Sequence, residues 1–219
     1  MTRENATTTR PRKGLSGKRQ AILDGALTVF ARDGYTRASI DAISAEAGVS
    51  TRTIYNHFAD KAELFLAVIQ ESATRAADVQ IATIERHLRK VTDVEADLIE
   101  FGRDWVTPRP NSAAHFSLIR QINAEVGHIP QEAIDAWQET GPRRVRGELA
   151  GHLRRLAEQG VLRIDHPDRA ALHLMLLVSA GLPTHQATLS AEEITETVTA
   201  GVHAFLYGHL HGTSAPEQA

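Results

Sequence analysis

Residues 49–58 read Val-Ser-Thr-Arg-Thr-Ile-Tyr-Asn-His-Phe. Serine is a residue type that starts helices, because its oxygen accepts a bond from an orphan backbone N–H. After Ser50, the side chains of Thr51, Arg52 and Thr53 are polar at the beginning of a short helix, while Val49, Ile54 and Phe58 form an apolar rear. A helix built this way can enter a major groove by its N-terminal end and be docked from behind. Arg52 can donate two bonds to guanine O6 and N7, and a threonine methyl can pack on a thymine methyl. Groups suited to phosphate flank it. Ser39 stands at another helix start, where a hydroxyl, backbone N–H groups and the helix dipole favour an anion. Tyr55 and His57 can donate to phosphate oxygens, and Lys61 adds a charge. Such contacts fix register and carry no sequence information.

Each residue also has a plainer reading. Arg52 outside such a motif is a solvated arginine. Tyr55 serves as core with its ring buried and its hydroxyl outward. His57 suits the end of its helix, where a histidine is favoured. Lys61, in the first turn of a helix, opposes the dipole, so helix propensity does not explain it and phosphate does.

The elements that position these residues are helices. Apolar residues recur at three- and four-residue spacing, and no alternating strand pattern persists. A first helix spans about Gly17 to Arg32, with Ile22, Leu23, Ala26, Leu27 and Phe30 on one face and Gly34 as its stop. Ser39 caps a second, whose buried side is Ile40, Ile43 and Ala47 and which Gly48 ends. The third runs from Thr51 to about Phe58. Asp60 caps a long fourth helix, with Glu63 completing a capping box. Two short helices joined through Ala47-Gly48-Val49-Ser50 have helix-turn-helix form.

The remainder reads as a bundle. Val94, Leu98, Phe101 and Trp105 stripe a fifth helix, closed by Pro108 and Pro110. A sixth carries Phe116, Ile119 and Asn123 and ends near Gly127. Pro130 opens a seventh, broken or kinked at Gly141-Pro142, whose second part carries Val145, Leu149, Leu153 and Leu156. An eighth runs from Asp168 to Leu182, and a ninth is striped by Ile194, Val198, Val202, Phe205 and Leu206. The expected architecture is all-α with about nine helices. Residues 1–15 are a disordered basic arm carrying Arg3, Arg10, Arg12 and Lys13, able to track a minor groove or merely to solubilise. Residues 16–61 are the helix-turn-helix domain, 62–210 the larger domain and 211–219 a flexible tail.

Charge follows this division. The chain has 219 residues and a net charge of −3. Residues 1–61 hold ten Lys/Arg against six Asp/Glu, and residues 62–219 hold fourteen against twenty-one. A basic head on an acidic body suits a polyanion partner for the head. The composition, 42% hydrophobic and 23% charged, is that of a globular protein. The longest aliphatic run, Leu174 to Val178, is far short of a membrane span, and Met1 to Leu15 is no secretory signal. A cytoplasmic protein without membrane association is expected. Cysteine is absent, so no disulfide or thiolate metal site forms.

The motifs resemble a known family. Phe30, Gly34-Tyr35, Ala38-Ser39-Ile40-Asp41-Ala42-Ile43, Ala47-Gly48-Val49-Ser50, Thr53-Ile54-Tyr55-Asn56-His57-Phe58, and Lys61 with Leu64 are similar, in order and spacing, to the DNA-binding domain of the tetracycline-repressor (TetR) family. The resemblance covers about residues 17–66. It implies a dimeric repressor on double-stranded DNA, with Ser39, Thr51, Arg52, Thr53, Tyr55, Asn56, His57 and Lys61 facing the duplex. Ser44 stands where alanine is usual. Thr51-Arg52 occupies a variable pair, which affects the operator read. Phe101, the segment from Phe116 to Glu125, Gly160 to Asp165 and Asp168 to Ala171 resemble the AefR-like C-terminal domain of some TetR regulators.

A one-component regulator of this kind needs an effector site and a dimer surface. Phe101, Trp105, His115, Phe116, Arg120, Asn123 and Trp137 are the expected lining for an unidentified apolar or amphipathic small molecule; packed core is the plain alternative for the aromatic ones. Arg120 and Asn123 are informative, because buried polar groups need partners. The eighth helix is apolar nearly all round. Leu172, Met175, Leu176 and Ser179, with Ile194, Val198, Val202 and Phe205 of the ninth, are the expected homodimer interface. Two-fold symmetry then imposes a near-palindromic operator. The resemblance further implies that the effector moves the fourth helix and respaces the two recognition helices.

Rival classes find less. There are eleven histidines but no His-x-x-x-His, and His209-Leu210-His211 lies near the tail, so no metal or other cofactor is expected. No phosphate loop, nucleophile elbow or His-Glu-x-x-His occurs, so no enzyme is expected. A DNA-binding regulator without a small-molecule effector, an activator or a protein-gated one, is the alternative. A helical enzyme is the remote one.

Overall fold

The computed structural model describes residues 13–107, 109, 112–180 and 190–209. Arg3, Arg10 and Arg12 of the basic arm, the closing Pro108 and Pro110, Leu182 and the tail from 210 lie outside them. Among the described residues there are ten α-helices and no strand. They are α1 (Lys13–Arg37), α2 (Ile40–Ala47), α3 (Thr51–Tyr55), α4 (Lys61–Leu88), α5 (Val94–Val106), α6 (Ala113–Ala124), α7 (Gln131–Thr140), α8 (Pro142–Glu158), α9 (Pro167–Ser179) and α10 (Ala191–His209). The expected seventh helix is two, because Gly141 leaves helical geometry (φ −118, ψ −92) and Pro142 starts afresh at N1. The first helix begins at Lys13, four residues before the expected start. Its continuity is interrupted at the expected stop, where Gly34 is non-helical with φ 80.

The chain divides into two compact units. One comprises residues 1–72 with 113–136, the other 73–112 with 137–219. This departs from the expected boundary at 61/62 in two ways. The division falls within α4, between Ser72 and Ala73, and α6 belongs with the N-terminal helices. The reason is side-chain chemistry that pairs distant positions. Gln121 Nε2 donates to the Arg32 carbonyl at 3.4 Å, and Glu125 Oε2 accepts from the Thr36 backbone N–H at 2.9 Å. His115 Nδ1 lies 2.8 Å from the Ser72 hydroxyl.

The first unit is built around the apolar faces of its helices. Ile22, Leu23, Ala26, Val29 and Phe30 of α1, Ile43 of α2, Ile54 and Phe58 at α3, Leu64, Phe65, Val68 and Ile69 of α4, and Leu118 and Ile122 of α6 are all buried. Phe30 and Phe65 meet edge to face with centroids 4.8 Å apart, and Tyr35 lies 4.8 Å from Phe65. Close approach of α1 and α2 depends on Gly25: a Cβ there would stand 2.8 Å from the Ala47 backbone.

The second unit has one apolar core. Ile84 and Leu88 of α4, Leu98 and Phe101 of α5, Val145, Leu149, Leu153 and Leu156 of α8, Leu174 and Val178 of α9, and Val198, Val202 and Phe205 of α10 are its members. Gly201 lets α10 lie against α9, since a Cβ there would meet the Leu177 carbonyl oxygen. No helix among the described residues is long and apolar enough to cross a membrane.

Candidate nucleic-acid interface

The helix-turn-helix forms through three local devices, each legible in the residue types. Ser39, extended at φ −115 and ψ 152, accepts from the Ala42 N–H at 3.1 Å and starts α2. Gly48 ends α2 in the left-handed region at φ 64, and the Val49 N–H returns to the Ser44 carbonyl at 3.0 Å. Ser50 then starts α3, accepting from the Thr53 N–H at 3.1 Å, with the two hydroxyls 2.8 Å apart. Ile54 and Phe58 are 1% and 3% exposed, so the rear of α3 is anchored, and the Arg19 guanidinium lies 5.4 Å from the Phe58 ring centroid.

What remains outward is the polar face. Arg52, Tyr55 and Asn56 are exposed, and Thr51, Thr53 and His57 are partly so. The Arg52 guanidinium has no ion-pair or hydrogen-bond partner among the described residues, which leaves its five donors available. Ser39 is exposed; its oxygen serves the cap while its proton remains free to donate. Tyr55 differs from expectation. It is 56% exposed and does not bury its ring, because Ile54 and Phe58 already fill the rear.

Lys61 differs more. Its ammonium donates to the carbonyls of Tyr35 at 2.9 Å, Ala38 at 3.2 Å and Thr36 at 3.5 Å, and lies 4.6 Å from the Tyr35 ring centroid. Three donors meet three acceptors where α1 ends and its carbonyls lack intrahelical partners. A lysine in a first helical turn thus has a physical reason within the chain, the free carbonyls at the end of another helix. Tyr35 itself has its phenol pKa raised, first by burial and then by the nearby Asp60 carboxylate. The Thr36 residue is thus held from both sides, its N–H and hydroxyl by Glu125 and its carbonyl by Lys61. Spacing alone offers no signal for the Glu125 half of that clamp, which spans 89 positions.

The expected effector lining is not brought together within either unit. Phe101, Trp105 and Trp137 belong to the second unit, and His115, Phe116, Arg120 and Asn123 to the first. Phe101 is fully buried core, 5.5 Å from the Trp105 ring. Arg120 and Asn123 are exposed, and Arg120 bonds Ser117 at 2.7 Å, so neither is a buried polar group in need of a ligand. Phe116 is 48% exposed. His115 is partly buried, which lowers its imidazole pKa. The second unit has a shallow, charged cavity of about 300 Å³ lined by Arg86, His87, Arg103, Asp104 and Ile194 among others. Asp104 gathers Arg86 at 2.6 Å, Arg109 at 2.9 Å and His87 at 3.1 Å.

The expected dimer face divides likewise. Val198, Val202 and Phe205 are fully buried inside their own unit, so they are core. Their stripe faces α5 and α9 of the same chain. Met175 and Ile194 are partly buried against that core. Leu172, Leu176 and Ser179 point outward, the two leucines 40% and 60% exposed. Tyr207 is 82% exposed. Among the described residues, Glu85, Glu148 and His152 are the group whose ligand atoms lie within 4.8 Å of one another and could hold a metal ion.

The sequence matches two family models in tandem. Residues 22–68 match bacterial regulatory proteins of the tetR family, and residues 96–208 match the AefR-like transcriptional repressor C-terminal domain. The chain belongs to the TetR family. It is 43% identical over 185 residues to the HTH-type transcriptional repressor AcnR of Corynebacterium efficiens, covering 82% of this chain and 88% of that one. AcnR of Corynebacterium diphtheriae aligns at 45% over 65 residues, 30% of this chain and about a third (34%) of that protein's length. A TetR-family transcriptional regulator from Mesorhizobium loti superposes with a TM-score of 0.77 at 25% identity, covering 92% of this chain and 100% of that one. The TetR-family assignment makes the chain a DNA-binding transcriptional regulator.

Proposed function

We propose that the protein is a cytoplasmic homodimeric repressor that reads a near-palindromic operator with α3 and is released by a small apolar or amphipathic effector. One observation carries the DNA half: an unpaired Arg52 guanidinium stands with Tyr55 and Asn56 on the outward face of a helix whose rear is buried. Thr51 and Arg52 supply base-edge contacts. Ser39, Thr53, Tyr55, Asn56 and His57 supply phosphate or register contacts. The repressor reading is supported by the AefR-like repressor domain over residues 96–208 and by the AcnR relative.

Dimerisation is assigned to the outward face of α9, where Leu172 and Leu176 sit one helical turn apart, with Tyr207 of α10. Apolar side chains this exposed, recurring on one helix face, suit a two-fold mate. Effector release follows as a population shift: a ligand lowers DNA affinity only by binding the DNA-incompetent state better.

The deciding experiment is selection of bound sequences from random duplex DNA, followed by a salt titration and Arg52→Ala. The proposal expects a palindrome, steep loss of affinity with salt, and a loss of about 1–3 kcal/mol with relaxed preference at one base in each half-site for the variant. A non-palindromic winner, or unchanged specificity in the variant, overturns it.

A further inference from the structure

His152 is an oddity of the second unit. Its side chain is fully buried on α8, between apolar turns that carry Leu149, Leu153 and Leu156. Its Nε2 faces two carboxylates, Glu85 of α4 at 3.1 Å and Glu148 of α8 at 3.6 Å. Glu148 and His152 are four apart, so both project from one helix face. Their side chains differ in access: the carboxylates are 44% and 39% exposed and the imidazole 0%.

The other ring nitrogen decides what Nε2 offers. Nδ1 is 2.8 Å from the Leu88 carbonyl and 2.6 Å from a guanidinium nitrogen of Arg155. One ring nitrogen satisfies one of these, donating to the carbonyl or accepting from the guanidinium. Leu88 is the last residue of α4, so its carbonyl has no partner within that helix. Arg155 is exposed and can turn to water. Without metal, Nε2 donates to Glu85 and Nδ1 accepts from Arg155. With the proton on Nδ1 and given to the Leu88 carbonyl, Nε2 presents a lone pair beside two carboxylate oxygens, a set that a cation can hold.

We propose that Glu85, Glu148 and His152 bind a divalent first-row transition-metal ion. The donor set, one imidazole nitrogen and two carboxylate oxygens, suits zinc and its neighbours rather than calcium or magnesium, which prefer oxygen alone. The spacing fits. With metal–ligand bonds of about 2.0–2.1 Å, ligand atoms of a tetrahedral site lie about 3.4 Å apart, and the observed nitrogen–oxygen separations of 3.1 and 3.6 Å bracket that. The Nδ1–H bond to a backbone carbonyl is the outer contact that orients a metal-bound histidine. Three protein ligands leave a fourth position for water or an exogenous anion. With no metal, the proton moves to Nε2, which donates to Glu85 while Arg155 donates to Nδ1; no proton is gained or lost between the two tautomers. The site bridges α4 to α8, so occupancy clamps those helices.

The test uses the full chain freed of metal with a chelator, then titrated with Zn²⁺ alone and followed by calorimetry and thermal unfolding. The proposal expects one Zn²⁺ bound per chain through this cluster and a rise in Tm. It also expects affinity at least about tenfold lower in Glu148→Gln and in Glu85→Gln, with no response to Mg²⁺ or Ca²⁺. Both carboxylates are half-exposed, so these variants keep the fold, and their unliganded Tm checks it. Zn²⁺ affinity unchanged in both variants overturns the proposal and assigns binding to other histidines. No Zn²⁺ binding also overturns it, leaving a hydrogen bond between the buried imidazole and Glu85.

Discussion

Lys61→Met separates two roles for one residue. The substitution keeps the unbranched stem and removes the ammonium. Three carbonyls at the end of α1, those of Tyr35, Thr36 and Ala38, lose their donor, at distances of 2.9, 3.5 and 3.2 Å. The contact over the Tyr35 ring at 4.6 Å goes as well. A charge-assisted hydrogen bond contributes about 1.5–3 kcal/mol net, and a partly exposed cation–π contact about 0.5–1. One bond here is short and the site is half-open, so the loss expected is about 2–3 kcal/mol. For a chain of this length that is roughly 5–10 °C in Tm. The assay pairs thermal unfolding with a salt titration of operator binding. A phosphate-binding lysine gives the opposite pattern: an unchanged Tm and a salt slope smaller by about one. A Tm within about 2 °C of the parent together with a reduced slope refutes the capping role.

Other positions give sharp outcomes. Glu125→Gln weakens the acceptor of the Thr36 N–H and hydroxyl, and amide exchange at Thr36 should accelerate several-fold while Tm falls by a few degrees; an unchanged exchange rate removes Glu125 from the clamp. His115 has its pKa lowered by burial. The unfolded chain therefore binds a proton at higher pH than the folded one. Its contribution is complete above the unfolded value of about 6.5 and is lost as pH falls towards the lower folded value. His115→Asn should flatten the Tm-versus-pH curve below about pH 6.5, and an identical slope in the variant counts against this. Gly201→Ala drives a Cβ against the Leu177 carbonyl, so α9 and α10 must separate; a destabilisation of about 1–3 kcal/mol in urea is expected, and a neutral result means the helices slide freely.

The fold was legible where its cause is local. Caps at Ser39 and Ser50, the left-handed Gly48 and the break at Gly141-Pro142 each depend on residues within a few positions. Apolar stripes located the helices too, but not what they face. Val198, Val202 and Phe205 form a faultless stripe, and a stripe on the last helix suits a partner chain as well as its own core. The structure spends it on the core, while Leu172 and Leu176 face outward. Phe101 of the expected effector lining shows a related limit. Helical periodicity says that Phe101 is on an apolar face. It does not say whether that face borders a space or another helix, and here it borders the core.

Polar side chains show the limit most clearly, because a polar group's meaning is its partner. Lys61 and the end of α1 are 23 to 26 positions apart, and His152 and Glu85 are 67 apart. Two histidines four positions apart do not occur in the sequence, but Glu148-x-x-x-His152 has the same geometry with a carboxylate in one place. No spacing rule supplies Glu85, which reaches the imidazole only because α4 and α8 bury Leu88 and Leu149 in a common core. A buried imidazole in such a core is costly unless both nitrogens are satisfied. Nδ1 has the end of α4 and Arg155 as partners. Nε2 faces the two carboxylates, and the zinc titration measures whether a metal ion replaces its bond to Glu85.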